Sequence, residues 1–158
     1  MQNNQLANPI ERDRIAPMSD MTIEELIEEF EFLGDWEERC DYLIDMGFEL
    51  PEMPAEAKTE QTRVHGCQSN VWLITRVRPD GERKIIDIIA DSDAMIVKGL
   101  IAVLLTLYSG KTAEEILAIE PRDVFRQLGL DRHLSSARKN GLNGMVQRIR
   151  ELATQVVA

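Results

Sequence analysis

The stretch Ala94–Tyr108, AMIVKGLIAVLLTLY, constrains the fold more than any other part of the chain. Only Lys98 and Gly99 interrupt it, so as a helix it is apolar nearly all round and belongs at the centre of a core. It is too short to span a bilayer. The rest of the 158 residues must therefore cover it, and that length suits one domain with a real hydrophobic core. Asp91, Ser92 and Asp93 stand just ahead of it and offer N-cap oxygens, while Gly110 stops it.

The flanking segments read as that cover. Thr22 with Glu25 forms a capping box, and Ile23, Leu26, Ile27, Phe30 and Leu33 recur at helical spacing. Asp35 opens a second helix with Glu38 at the third position. Trp36, Cys40, Leu43 and Ile44 line its inner face, and Gly47 occupies the place of a left-handed C-terminal cap. Leu50–Thr62 reads as a loop. Asn70–Arg78 alternates, with Val71, Leu73, Thr75 and Val77 on one face. Pro79-Asp80-Gly81 marks a hairpin turn and Lys84–Ala90 the returning strand; a short piece around Arg63–Val64 is the candidate third strand.

Beyond the central helix, Thr112 with Glu115 caps a short helix, Pro121 suits the first turn of the next, and Gly129 ends it. Ser135 or Ser136 starts a last helix whose inner stripe is Leu142, Met145, Val146, Ile149, Leu152, Ala153 and Val156. Gly141 and Gly144 within it point to close packing or a loose first turn. Helices on both sides of an antiparallel hairpin make the class α+β, a small sheet of about three strands against several helices. Residues 1–18 are polar and read as a disordered arm ahead of a single domain over 19–158.

Lys and Arg number 18 against 28 Asp and Glu, a net charge of −10. Such a chain is poorly suited to nucleic acid, where Lys and Arg neutralise phosphates, or to anionic membrane surfaces. The acidic residues crowd between Asp20 and Glu60, and a basic patch on a protein partner is the complementary target. The first seventeen residues lack an apolar core, so no secretory signal is read and a cytoplasmic, reducing setting is expected. Cys40 and Cys67 allow one disulfide at most. Metal-ligand spacing, a C-x-x-C pair and a glycine-rich phosphate loop are all missing.

Chemistry concentrates on VHGCQSNVWL, residues 64 to 73. Gly66 allows unusual backbone angles and removes bulk beside Cys67, and Gln68 and Ser69 can donate hydrogen bonds to a thiolate or persulfide. From spacing alone, Cys67 reads equally as a reactive thiol and as a half-buried cysteine at a strand edge. Cys40, on an inner helix face, reads as a core thiol. His65 can act as base or local charge but fits an exposed loop histidine better; His133 reads as a helix-end histidine.

Taken together, GCQSNVWL around Cys67, DSDAMIVKGLIAVL from Asp91, HLSSARKNGLNGM from His133 and DWEERCDYLIDMGFELPEMP from Asp35 resemble the SufE family of sulfur acceptors, from about Met21 to Leu152. The resemblance implies a SufE/IscU-like α+β fold. It further implies that Cys67 takes persulfide sulfur from a pyridoxal-phosphate-dependent cysteine desulfurase of the SufS or CsdA kind, stimulates that enzyme, and passes sulfur towards an iron–sulfur scaffold. Asp93 and Arg138 match family positions tied to the partner surface and acceptor loop, whereas His65 and Cys40 inherit no role. The chain itself would need no cofactor, and a homodimer is compatible with the family. Rival classes are a Cys–His hydrolase or transferase, a cluster scaffold, for which two scattered cysteines are too few, and a plain interaction protein.

Overall fold

A computed structural model describes residues 21–66 and 68–157; the expected arm over 1–18 lies outside them. In chain order come α1 (Ile23–Leu33), α2 (Trp36–Phe48), a 3-10 turn at Ala55–Ala57, β1 (Val71–Asp80), β2 (Arg83–Ser92) and α3 (Met95–Tyr108). Then follow β3 (Lys111–Thr112), α4 (Ala113–Ala118), α5 (Pro121–Leu128), α6 (Leu130–His133) and α7 (Ser136–Val157). The fold is α+β, with one antiparallel sheet in the order β1-β2-β3. No helix among the described residues is long and apolar enough to cross a membrane.

The apolar stretch forms α3 and sits at the centre, buried at Val97 and at every position from Gly99 to Leu105, and again at Leu107 and Tyr108. One face of the hairpin covers it through Val71, Leu73, Ile86, Ile88 and Ala90, while α1, α2 and α7 add Leu26, Phe30, Leu43, Leu142, Met145 and Ile149 to the same core. Reciprocal capping boxes start α1 at Thr22–Glu25 and α4 at Thr112–Glu115, and Gly129 ends α5 in a left-handed conformation.

Several expectations change in three dimensions. The third strand is Lys111–Thr112, on the β2 edge; Arg63 contributes only an isolated bridge to Trp72 on the β1 edge. The strands pair as far as Asp80↔Arg83, so the hairpin turns at Gly81 and Glu82, with Gly81 at φ 65°. Asp35 caps α2 through the Glu37 N–H at 2.8 Å, where the box pattern expects Glu38. Gly47 is not a cap: α2 continues to Phe48. Gly47 is instead where α2 meets α3, since a Cβ there would stand 2.9 Å from the Gly99 N, and a Cβ on Gly99 would stand 2.4 Å from the Leu43 O.

The buried position on the inner face of α2 that pattern reading passes over is Arg39, 9% exposed. Its Nε donates to the Phe30 O at 2.8 Å and its Nη1 to the Leu128 O at 3.3 Å, with the guanidinium 5.5 Å from the Phe30 ring centre. One cation thus donates to carbonyls in the last turns of both α1 and α5, the Phe30 O accepting from the Gly34 N–H as well. Cys40 beside it is only half-buried, because Arg39 takes the inward position.

Candidate functional site

Two arms of chain flank position 67. The incoming arm lies along the β1 edge: the Val64 N–H donates to the Val71 O and the Leu73 N–H to the Thr62 O, both at 2.8 Å. It then crosses α7 closely, for a Cβ on Gly144 would lie 3.4 Å from the His65 O. That approach gives Gly144 a packing role. Gly66 follows at φ 94° with open space around it, so glycine is required by backbone angle and not by crowding. Cys67 itself lies outside the described residues.

The outgoing arm is tied by Asp93. The Asn70 N–H donates to Asp93 Oδ1 at 3.1 Å and Asn70 Nδ2 to Asp93 Oδ2 at 2.8 Å, and the Asp93 N–H returns a bond to the Asn70 O at 3.3 Å. The expected N-cap role for Asp93 therefore fails. The α3 N-cap is Ala94, without a side-chain bond, and Ser92 Oγ accepts from the Ala94 N–H at 3.2 Å. A carboxylate already holding two Asn70 donors cannot also turn to the helix end. Asn70 gave no sign of this in the sequence.

Gln68 and Ser69 form part of the lip of a hollow of about 230 Å³. Its apolar lining comes from Val97 and Leu100 on α3 and Leu142 and Met145 on α7; Ser135 and Arg138 supply polar atoms. Val71 and Leu73, the apolar strand residues nearest in sequence, are buried in the core and are not among the residues lining the hollow. Ser135 Oγ accepts from the Arg138 N–H at 3.2 Å, which caps α7 and leaves the exposed Arg138 side chain at the hollow. Gln68, Ser69 and Arg138 thus share one concavity, with Asp93 tied to the residue after Ser69.

A third tie involves Asp91, whose side chain is 16% exposed. Its Oδ2 meets Lys58 Nζ at 2.9 Å and its Oδ1 meets Lys98 Nζ at 3.5 Å. Lys58 also stands 5.3 Å from the Trp72 ring centre. Burial pushes the Asp91 carboxyl up, but the Lys58 hydrogen bond, the Ser92 N–H and the two lysine charges outweigh it and hold the group below its ordinary value.

The other candidates stand apart. His65 pairs with Glu60 at 3.1 Å with both side chains exposed, and His133 stacks on Trp36 with ring centres 4.6 Å apart. Burial pushes the Cys40 thiol up, Asp41 and Glu37 add to this, and Arg138 opposes it. Cys40 is thereby kept as the poorly nucleophilic thiol. No group of three or more His, Cys, Asp or Glu among the described residues is placed to hold a metal.

Comparison with known proteins gives a family match over most of the chain. The family model "SufE: Fe-S metabolism associated domain" matches residues 24–153. An uncharacterized SufE-like protein of Rhizobium etli is 47% identical over 132 residues, 84% of this chain and 89% of that protein. Another from Rhizobium meliloti is 44% identical over 132 residues, covering 84% and 94%. The solution structure of a hypothetical protein from Thermus thermophilus shares the fold with a TM-score of 0.66 at 21% identity, over 91% of this chain and 98% of that one. With a family model over most of its length and relatives above 40% identity, this chain belongs to the SufE family, whose domain is associated with iron–sulfur metabolism.

Proposed function

We propose that this chain is a sulfur acceptor: Cys67 takes persulfide sulfur from a pyridoxal-phosphate-dependent cysteine desulfurase, the chain stimulates that enzyme, and the sulfur passes on to iron–sulfur cluster assembly. The observation that carries this reading is the mounting of the segment around position 67, tied on both sides and set at a half-apolar hollow. The Cys67 thiolate attacks the terminal sulfur of the donor persulfide. The new S–S bond forms as the donor S–S bond breaks; the donor thiolate leaves and the proton of the persulfide travels with the transferred sulfur. No electron is gained or lost overall, so the step needs no cofactor on this chain. Tied arms hold the segment's ends while its tip reaches the donor, and a hollow of apolar side chains suits a persulfide better than water, where it meets oxidants. A cytoplasmic, reducing setting keeps the acceptor thiol available.

Intact mass after incubation with cysteine and candidate desulfurases tests this. Wild type should gain one sulfur mass, mapped to the Cys67 peptide. Cys67→Ser should gain none while remaining folded. Cys40→Ser should still gain it, at a stability loss of about 1 kcal/mol for a polar atom in a half-buried place. Sulfur on the Cys67→Ser variant at the wild-type level would refute the assignment.

A further inference from the structure

We propose that Lys58 is a positioning residue for sulfur acceptance: held between the Asp91 carboxylate and the Trp72 ring, it fixes the incoming arm to the body of the fold. The proposal rests on the acceptor reading and names a device within it. Asp91 and Asp93 lie two residues apart where β2 runs into α3. Asp93 holds the outgoing arm through Asn70, and Asp91 holds the incoming arm through Lys58. A single short stretch therefore ties both ends of the acceptor segment to the same body.

Three features set this pair apart from an ordinary surface ion pair. Asp91 is mostly buried, and Lys58 has an aromatic ring beneath it as well as a carboxylate beside it. Trp72 is also the residue that Arg63 bridges, so the ring under Lys58 belongs to the strand along which the arm is laid. Finally, Lys98 belongs to α3 and Lys58 to the arm, so only Lys58 joins the two. If Lys58 is removed, Asp91 keeps Lys98. The loss then reads the tie itself, without the penalty of a buried charge stripped of every partner.

The tie is tested by hydrogen exchange on the isolated chain. Lys58→Met should speed exchange of the Val64 and Leu73 amides by about five- to tenfold, while Lys58→Arg, which keeps a cation over the ring, should restore most of the protection. With a desulfurase, kcat/KM for sulfur acceptance should fall in Lys58→Met by a similar factor, since a loose arm must be ordered on docking. Alkylation of the Cys67 peptide by a small reagent should be no slower, and amides in the middle of α3 should keep their wild-type exchange rate, which a mere loss of global stability would raise. Unchanged exchange at Val64 and Leu73, or Lys58→Arg behaving like Lys58→Met, would overturn the tie even if the chain accepts no sulfur at all. Faster exchange with unchanged acceptance would overturn the positioning role and leave the acceptor reading standing.

Discussion

Replacing Gly99 by alanine should destabilise the protein although alanine is the better helix former. The added Cβ would lie 2.4 Å from the Leu43 O, 2.7 Å from the Leu43 C and 2.9 Å from the Leu43 Cβ. Ordinary contact begins at 3.4 Å, so α2 and α3 must part by about 1 Å, the difference between 3.4 and 2.4. The obstacle is backbone inside α2 and cannot swing aside as a side chain would. Overpacking a core costs about 1–3 kcal/mol, and a backbone obstacle puts this site at the upper end. Helix propensity returns about 1 kcal/mol on Gly→Ala. The net loss is about 2 kcal/mol, and for a chain of this length about 4–8 °C in Tm. Urea unfolding should show a lower midpoint with an unchanged slope. A Gly99→Ala protein as stable as wild type would show that the two glycines do not set the distance between these helices.

Arg138→Glu should change the association rate with a desulfurase and its dependence on ionic strength, leaving Cys67 reactivity towards a small disulfide unchanged; identical kinetics at low and high salt would refute a docking role. Asp93→Lys is not the equivalent charge test, because it also strips Asn70 of both acceptors and should raise small-reagent reactivity at Cys67. The Asp91 tie should depend on pH in the sense of a carboxyl lowered on folding: its contribution is present above the unfolded value, about 3.9, and is lost as pH falls through the lower folded value. Protection of the Val64 amide should drop over that acid range in wild type and show no such step in Asp91→Asn.

Local signals were legible in the sequence and long-range ones were not. The boxes at Thr22–Glu25 and Thr112–Glu115 and the Gly129 terminus involve neighbours within one turn, so pattern alone locates them. Gly47 looks like a cap because a glycine near the end of a helix usually is one; only the approach of Gly99 reveals its packing role. Arg39 sits on an inward stripe where a charge is least expected, and its two carbonyl partners lie in other helices. A strand of two residues at Lys111–Thr112 is below any periodic signal. Around position 67 the residue types and the family resemblance single out a candidate segment, whereas the Asn70–Asp93 and Lys58–Asp91 partnerships beside it join residues far apart in sequence and leave no local signal.

The distribution of charge gives Arg138 its particular position. From residue 21 to 49 there are eleven carboxylates and one base, the buried Arg39, so this segment alone carries −10. From residue 50 to 158 there are fourteen acids and fifteen bases, close to balance. The net charge of the molecule therefore belongs to α1, α2 and the turn joining them. A basic partner surface is drawn first towards these helices, by a field that reaches about a Debye length, roughly 8 Å, in physiological salt. Arg138 stands at their border: its charge acts on Cys40 in α2, and its side chain lines the hollow beside Gln68 and Ser69. It repels the cations that the acidic helices attract and offers a fork to a carboxylate or carbonyl. Attraction on one side of a line and repulsion on the other fixes orientation as well as approach. If the proposed acceptor role holds, reversing Arg138 extends the acidic field over the hollow, which favours encounter with a basic surface while removing the charge that would orient the partner on the segment around position 67.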